Sequence, residues 1–177
     1  MGTFKALLKV HSSDRVGLIS LVTGHLFDRN INLGDTSFAI LDKSGVFTSI
    51  IEIPSDLTEK TLSEEIESLD GLSDAIVEVK KIDPANPKTP STEVTHHILC
   101  EGEDQPGLLA RLSEVFIDYD ANIVGLKSDQ VQTKRGVIFS IHFSVNIPES
   151  RTNSCLAALS NTAGELRQSL TSETAEN

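Results

Sequence analysis

Apolar and polar residues alternate along 4–11, FKALLKVH: Ala6, Leu8 and Val10 share one side, while Lys5, Lys9 and His11 share the other. A period of two predicts a half-buried strand. Apolar residues at 18, 19, 22, 26 and 27 then follow a 3.6-residue period and predict a helix ending at Asn30. Two strand-like segments, about 31–41 and 46–53, flank the turn Asp42-Lys43-Ser44-Gly45, and Pro54 closes the second of them. Leu62, Ile66 and Leu69 predict another helix, and 75–82, AIVEVKKI, a last strand.

The same order returns further along. The strand at 95–101, THHILCE, carries Ile98 and Cys100 on one face, and the helix has apolar positions 108, 109, 112, 116 and 117 and ends at Asp120. Strands at about 122–132 and 137–147 flank Thr133-Lys134-Arg135-Gly136, followed by Pro148 and a helix carrying Leu156, Leu159 and Ala163. The closing segment, about 165–171 (ELRQSLT), is weakly patterned and reads either as a strand or as a helix tail. Residues 14–35, DRVGLISLVTGHLFDRNINLGD, align without gaps on 104–125, DQPGLLARLSEVFIDYDANIVG. Identical pairs are Asp14/Asp104, Gly17/Gly107, Leu18/Leu108, Asp28/Asp118 and Asn32/Asn122. The chain is therefore a duplication.

Each copy reads β-α-β-β-α-β, which predicts an α+β chain of two tandem ferredoxin-like domains, each an antiparallel four-stranded sheet with both helices on one face. The first domain is expected over 1–83 and the second over 93–172. Between them, 84–92 reads as an extended linker, because 83–92 (DPANPKTPST) holds three of the six prolines. Residues 173–177 are expected to form a disordered tail.

Charge narrows the function. The 177 residues hold 15 Lys+Arg against 26 Asp+Glu, a net of -11. The acidity is spread over both copies, so no basic face awaits a nucleic-acid backbone, and direct nucleic-acid binding is not expected. No run of about 18 apolar residues predicts a membrane span. The opening Met1-Gly2-Thr3-Phe4-Lys5 lacks the apolar core of a signal peptide, and two cysteines make no disulfide framework, so a cytoplasmic location is expected.

No catalytic constellation emerges. His11, His25, His96, His97 and His142 occupy no equivalent positions in the two copies, and neighbours such as His96 and His97 point to opposite faces of a strand. No metal site, cofactor site or enzyme activity is expected. Cys100 falls on an inward face and reads as an inert buried thiol.

The strongest chemical signal lies between the first strand and first helix of each copy: Asp14-Arg15-Val16-Gly17-Leu18 and Asp104-Gln105-Pro106-Gly107-Leu108. A helix N-terminus presents unpaired amides and partial positive charge, suited to a carboxylate or phosphate. Glycine admits close approach to the backbone. A plainer reading has Asp14 and Asp104 accepting hydrogen bonds from the first helical amides as caps. Asn32 and Asn122, which open the next strand, are the second signal, since an amide side chain both donates and accepts.

These residues resemble the ACT domain, a small-molecule sensing module. Asp-Arg-Val-Gly-Leu-Ile (14–19) with Asn30-Ile31-Asn32-Leu33 is similar to its signature, and Asp104-Gln105-Pro106-Gly107-Leu108-Leu109 with Ala121-Asn122-Ile123 is closer, because the family favours Asp-x-Pro-Gly. The resemblance covers nearly the whole chain, and its tandem layout is similar to the glycine cleavage system transcriptional repressor group of ACT proteins. It implies an amino-acid ligand at an interface between paired domains, its carboxylate held by backbone amides of the loop and its pocket completed by strand residues near the asparagine. The residues so implicated are Asp14, Val16, Gly17, Leu18 and Asn32, and Asp104, Pro106, Gly107, Leu108 and Asn122. Val16 departs from the family's proline. The resemblance thus implies a non-enzymatic amino-acid sensor acting on a protein partner, with any transcriptional role indirect. A detached regulatory subunit of an amino-acid enzyme and a purely structural interaction module are the alternatives. Exposed strand edges make a homodimer a further expectation.

Overall fold

The computed structural model describes residues 2–83, 91–133 and 136–175. The chain divides into two compact units, 1–87 and 88–177. In the first, β1 (Thr3–Ser13), α1 (Leu18–Asp28), β2 (Asn32–Leu41), β3 (Ser44–Pro54), α2 (Glu59–Glu67) and β4 (Ile76–Lys81) follow in order. In the second, β5 (His96–Gly102), α3 (Leu108–Asp118), β6 (Asn122–Thr133), β7 (Gly136–Asn146), a 3-10 turn (Glu149–Arg151), α4 (Thr152–Glu165) and β8 (Gln168–Thr174) repeat the order. The sheets run β2-β3-β1-β4 and β6-β7-β5-β8, and every neighbouring pair is antiparallel. Each unit is thus a ferredoxin-like βαββαβ domain.

Alternation along the central strands builds each core. Ala6, Leu8 and Val10 of β1 and Phe47, Ile51 and Ile53 of β3 are buried, and they meet Leu18, Val22 and Leu26 of α1 and Leu62 and Ile66 of α2. In the second domain Ile98, Cys100, Ile141, Phe143 and Val145 meet Leu112 and Phe116 of α3 and Leu159 and Ala163 of α4. The Phe116 and Phe143 rings pack edge to face with centroids 5.2 Å apart.

Both first helices close as their sequences imply. Asn30 and Asp120 take left-handed backbone (φ 53° each) just beyond α1 and α3, a conformation that Asn and Asp tolerate better than most residues. The first hairpin is tighter than expected. Its turn is only Asp42 and Lys43, with Asp42 left-handed (φ 54°), so β3 begins at Ser44. Lys134 and Arg135 of the second turn, residues 84–90 of the expected linker, and Glu176 and Asn177 of the expected tail lie outside the described residues.

The last strand corrects two expectations. The 165–171 segment resolves into the end of α4, left-handed Arg167 (φ 55°) and a true strand. That strand continues into the segment expected as a tail: Glu173 pairs with His97 and Thr174 with His96, and the Ala175 amide donates to Thr95 O at 2.8 Å. Ladder hydrogen bonds to β5 hold a segment whose side chains give almost no hydrophobic period.

Gly102 pairs with Gln168 where β5 meets β8, and a Cβ there would stand 2.5 Å from the Arg167 carbonyl oxygen. Gly102→Ala is expected to destabilise the second domain by roughly 1–3 kcal/mol through overpacking. Gly164→Ala, inside α4 where a Cβ meets nothing within 4 Å, is expected to stabilise by about 0.5–1 kcal/mol. Urea midpoints of the two variants should move in opposite directions.

Candidate functional site

The two Asp-x-x-Gly loops have the same backbone. Gly17 (φ 91°) and Gly107 (φ 83°) are left-handed N-caps, and α1 and α3 start at the very next residue. The Leu18 amide reaches Arg15 O at 3.4 Å and the Leu21 amide reaches Gly17 O at 2.9 Å; Leu108 to Gln105 and Arg111 to Gly107 give the same distances. Neither cap makes a side-chain hydrogen bond. This corrects the capping expectation: Asp14 and Asp104 lie three residues before the N-cap and do not satisfy the helical amides. Instead the Asp14 amide donates to Lys43 O at 2.7 Å, tying the loop to the β2–β3 turn, and an Asp104 carboxylate oxygen accepts from Gln130 Nε2 at 3.0 Å. Between these bonded amides, those of Ile19 and Ser20 in α1, and of Leu109 and Ala110 in α3, are left for an outside acceptor among the described residues.

The second residue of the motif latches each loop to the segment that enters the last strand. Arg15 donates to Gly71 O and pairs with the Asp74 carboxylate, which also accepts from the Ser13 amide at 2.9 Å. Hydrogen bonds from Ser13 and the Arg15 guanidinium hold the Asp74 carboxyl well below the usual carboxylate range. In the second domain Gln105, at the position of Arg15, donates to Leu166 O, while Gln168 Nε2 donates to Glu103 O at 2.8 Å. Gln168 is buried, and its Oε1 is without a partner among the described residues. One geometry is thus fastened by a charged Arg15 in one copy and chiefly by neutral amides in the other, where an exposed Glu103–Arg167 pair at 3.7 Å is added. Sequence reading missed Asp74 and Gln168, because neither stands near the motif in the chain.

A cleft of about 430 Å³ opens against the first loop, lined by residues 14–20 and by Phe38 and Ile40 of β2. Val16 is fully exposed at its mouth, and Leu18 is buried at its base. The structure brings Asp14, Val16, Gly17 and Leu18 together, and likewise Asp104, Pro106, Gly107 and Leu108. It does not bring the asparagines to them. Asn32 pairs with Glu52 at the far end of β2, whereas the loop adjoins the β2–β3 turn. The eight steps along the strand from Asn32 to Ile40 span roughly 26 Å. Asn122 likewise opens β6 beside Asn146, and its side chain donates to Ser91 O at 3.0 Å.

The remaining chemistry-bearing residues are structural or exposed. His25 and Arg29 both engage Glu65. Burial pushes the Cys100 thiol up to about 11 and raises that of Cys155, so neither is a ready nucleophile. A smaller cleft of about 310 Å³ lies on the outer sheet face of the second domain, beside His97, His142, Ser144, Thr171 and Glu173. It offers no helix terminus, and the equivalent face of the first domain lacks its histidine pair. Among the described residues no group of three His, Cys, Asp or Glu side chains is placed to hold a metal, and no helix is long and apolar enough to cross a membrane.

No protein-family model matches the sequence, and no curated protein matches it. Solved structures do. An unknown protein from Galdieria sulphuraria superposes with TM-score 0.80 over 99% of this chain and 100% of its own, at 19% identity. A provisionally named glycine cleavage system transcriptional repressor superposes with TM-score 0.68 over 100% of both chains, at 17% identity. These likenesses show the fold, two tandem ferredoxin-like domains. At these identities the likeness is one of architecture, and it extends over both domains.

The Asp74 carboxylate, acidified in the folded state, contributes stability that is present above its ordinary range and lost as pH falls through and below about 4. The effect is modest, because the pair is partly exposed and water screens it. Asp74→Asn should therefore flatten the acid-side fall of the first domain's thermal midpoint between pH 5 and pH 3, measured beside the wild type.

Proposed function

We propose that this chain is a non-enzymatic, amino-acid-responsive regulatory protein of the cytoplasm. A ligand carboxylate would sit on the first-turn amides of α1, and of α3, where the left-handed glycine leaves the approach open. The observation that carries this reading is the repetition of the loop. Two copies whose helices, latches and turns have diverged retain the same positive-φ glycine and the same open amides. A loop needed only to start a helix could use a side-chain cap, as Thr58 does for α2 by accepting from the Thr61 amide.

The 430 Å³ cleft beside Phe38 and Ile40 suits a small amino acid with its side chain against the β2 face. Because the asparagines stand away from the loops of their own domains, Asn32 and Asn122 would join a ligand site only across an interface between domains. Ligand binding would bias the packing of such an interface and so alter contact with a protein partner. The acidic chain supports indirect rather than direct control of transcription, with amino-acid or glycine metabolism as the regulated process. Service as a detached regulatory subunit of an amino-acid enzyme uses the same site and differs in the partner recovered.

The test is thermal unfolding with each of the twenty amino acids in turn at millimolar concentration. A ligand at one hundred times its dissociation constant stabilises by about 2.7 kcal/mol, which raises the midpoint by roughly 2–4 °C per kcal/mol for a protein of this size. One selective shift is expected. Val16→Asp and Pro106→Asp, which place a carboxylate on exposed loop positions without touching the core, should remove it while leaving the unliganded midpoint nearly unchanged. A flat panel would reduce the loops to architecture.

A further inference from the structure

The outer face of the second domain's sheet gathers histidines that the sequence keeps apart. His97 of β5 lies opposite Ser144 of β7 and Glu173 of β8. The next outward row sets His142 of β7 beside Leu99 of β5, with Thr171 of β8 on the far side. His97 and His142 are therefore diagonal neighbours on adjacent strands, roughly 7–8 Å apart at the backbone, a separation that long side chains close. Both rings, Glu173 and half-buried Leu99 line the cleft of about 310 Å³. His96 and His97, adjacent in the chain, point to opposite faces. The register of β5 on β7 makes the pair that chain order does not.

Each ring is held by a hydroxyl at one nitrogen, which leaves the other for an outside partner. His97 Nδ1 lies 3.1 Å from Ser144 Oγ. With the ring N–H donated there, Nε2 keeps its lone pair. His142 Nε2 lies 3.4 Å from Ser140 Oγ, and that hydroxyl donates to Glu101 Oε1 at 3.4 Å. Because the Ser140 proton is committed to the carboxylate, His142 Nε2 is the donor and Nδ1 carries the lone pair. A hydrogen-bonded group behind an imidazole fixes the tautomer and orientation of a metal-ligating histidine. The first domain supplies an internal control. Its corresponding positions are Leu7, Thr48 and Ile50, with Lys80 in place of Glu173, and it offers no such pair.

We propose that His97 Nε2 and His142 Nδ1 together bind a divalent transition cation, Zn²⁺ or a neighbour such as Ni²⁺ or Cu²⁺, on this sheet face, with water in its remaining positions. Imidazole pairs select these ions over Mg²⁺ and Ca²⁺, which take oxygen ligands. Glu173, opposite His97, adds negative charge at the rim of the cleft. Lys127, the neighbour of His142 on β6, opposes a cation, but its ammonium is drawn to within 3.0 Å of Asp129 Oδ2. At longer range the net charge of -11 favours a cation. Two protein ligands rather than a closed set of four make an open site from which the ion exchanges, unlike a structural one. The site is independent of ligand binding at the loops.

Titration calorimetry of the full, untagged chain with Zn²⁺ alone, in a buffer that does not chelate, tests the site. One ion per chain is expected, and excess Mg²⁺ should not displace it. His97→Ala and His142→Ala should each weaken binding by at least about tenfold, and Ser144→Ala, which removes only the group orienting His97, by about tenfold. His11→Ala, at an exposed histidine of the first domain, should change nothing. These side chains lie outside both cores, so the metal-free variants should keep the wild-type thermal midpoint. Absence of saturable binding overturns the proposal. Binding that survives both histidine variants also overturns it, because the ion then sits elsewhere. Binding that ignores Ser144→Ala does the same, since it marks an adventitious ion on two loose side chains.

Discussion

A single left-handed residue stands between the first strand and the first helix of each domain, and the rest of the domain is arranged around it. Gly17 and Gly107 turn the chain so abruptly that the following leucine is both the first helical residue and a fully buried one. A residue with a Cβ would resist that backbone. Because the turn is made by conformation rather than by a capping side chain, the first amides of the helix face outward. The helix can then lie across the sheet with its apolar stripe on β1 and β3, and the hairpin behind it is free to hold the loop through the Asp14 amide and Lys43.

The two copies show which parts of this arrangement are negotiable. The loop is fastened in both, and by the same residue of the motif, yet Arg15 works through charge and Gln105 through neutral hydrogen bonds. Ionic strength and acidity act chiefly on the first fastening; in the second only the exposed Glu103–Arg167 pair, at 3.7 Å, carries charge on both sides. The duplicated chain thus carries two loops of one shape whose rigidity responds differently to conditions. Geometry is what the copies share, and chemistry is where they have separated.

Much of this was legible in the sequence. The element order, both left-handed helix ends at Asn30 and Asp120, and the inward faces of the central strands followed from periodicity, because buried alternation and buried helical stripes leave a mark on residue type. What escaped had no such mark. Residues 168–174 are held by backbone ladder bonds and carry one large apolar residue, Leu170, so the strand reads weakly and its last two residues read as a tail. The capping role expected of Asp14 and Asp104 followed from residue preference, and it failed because a positive-φ glycine had taken the position. The asparagines were grouped with the loops because they recur together in both copies, but recurrence says nothing of distance: a strand of ten residues carries Asn32 to the other end of its sheet. Asp74 and Gln168 join the loops only through the fold.

The last strands of the two domains carry different residues toward their cores. Val77 and Val79 of β4 pair with Val10 and Leu8, whereas in β8 Leu170 and Ser172 pair with Cys100 and Ile98, and buried Gln168 pairs with Gly102. Tandem copies emerging one after the other during synthesis can exchange equivalent segments and become trapped as misassembled species. Here an exchange would set an amide and a hydroxyl against an aliphatic core, and would deprive the Glu103 carbonyl of the Gln168 amide. The dissimilarity of β4 and β8 thus makes each final strand a poor substitute for the other.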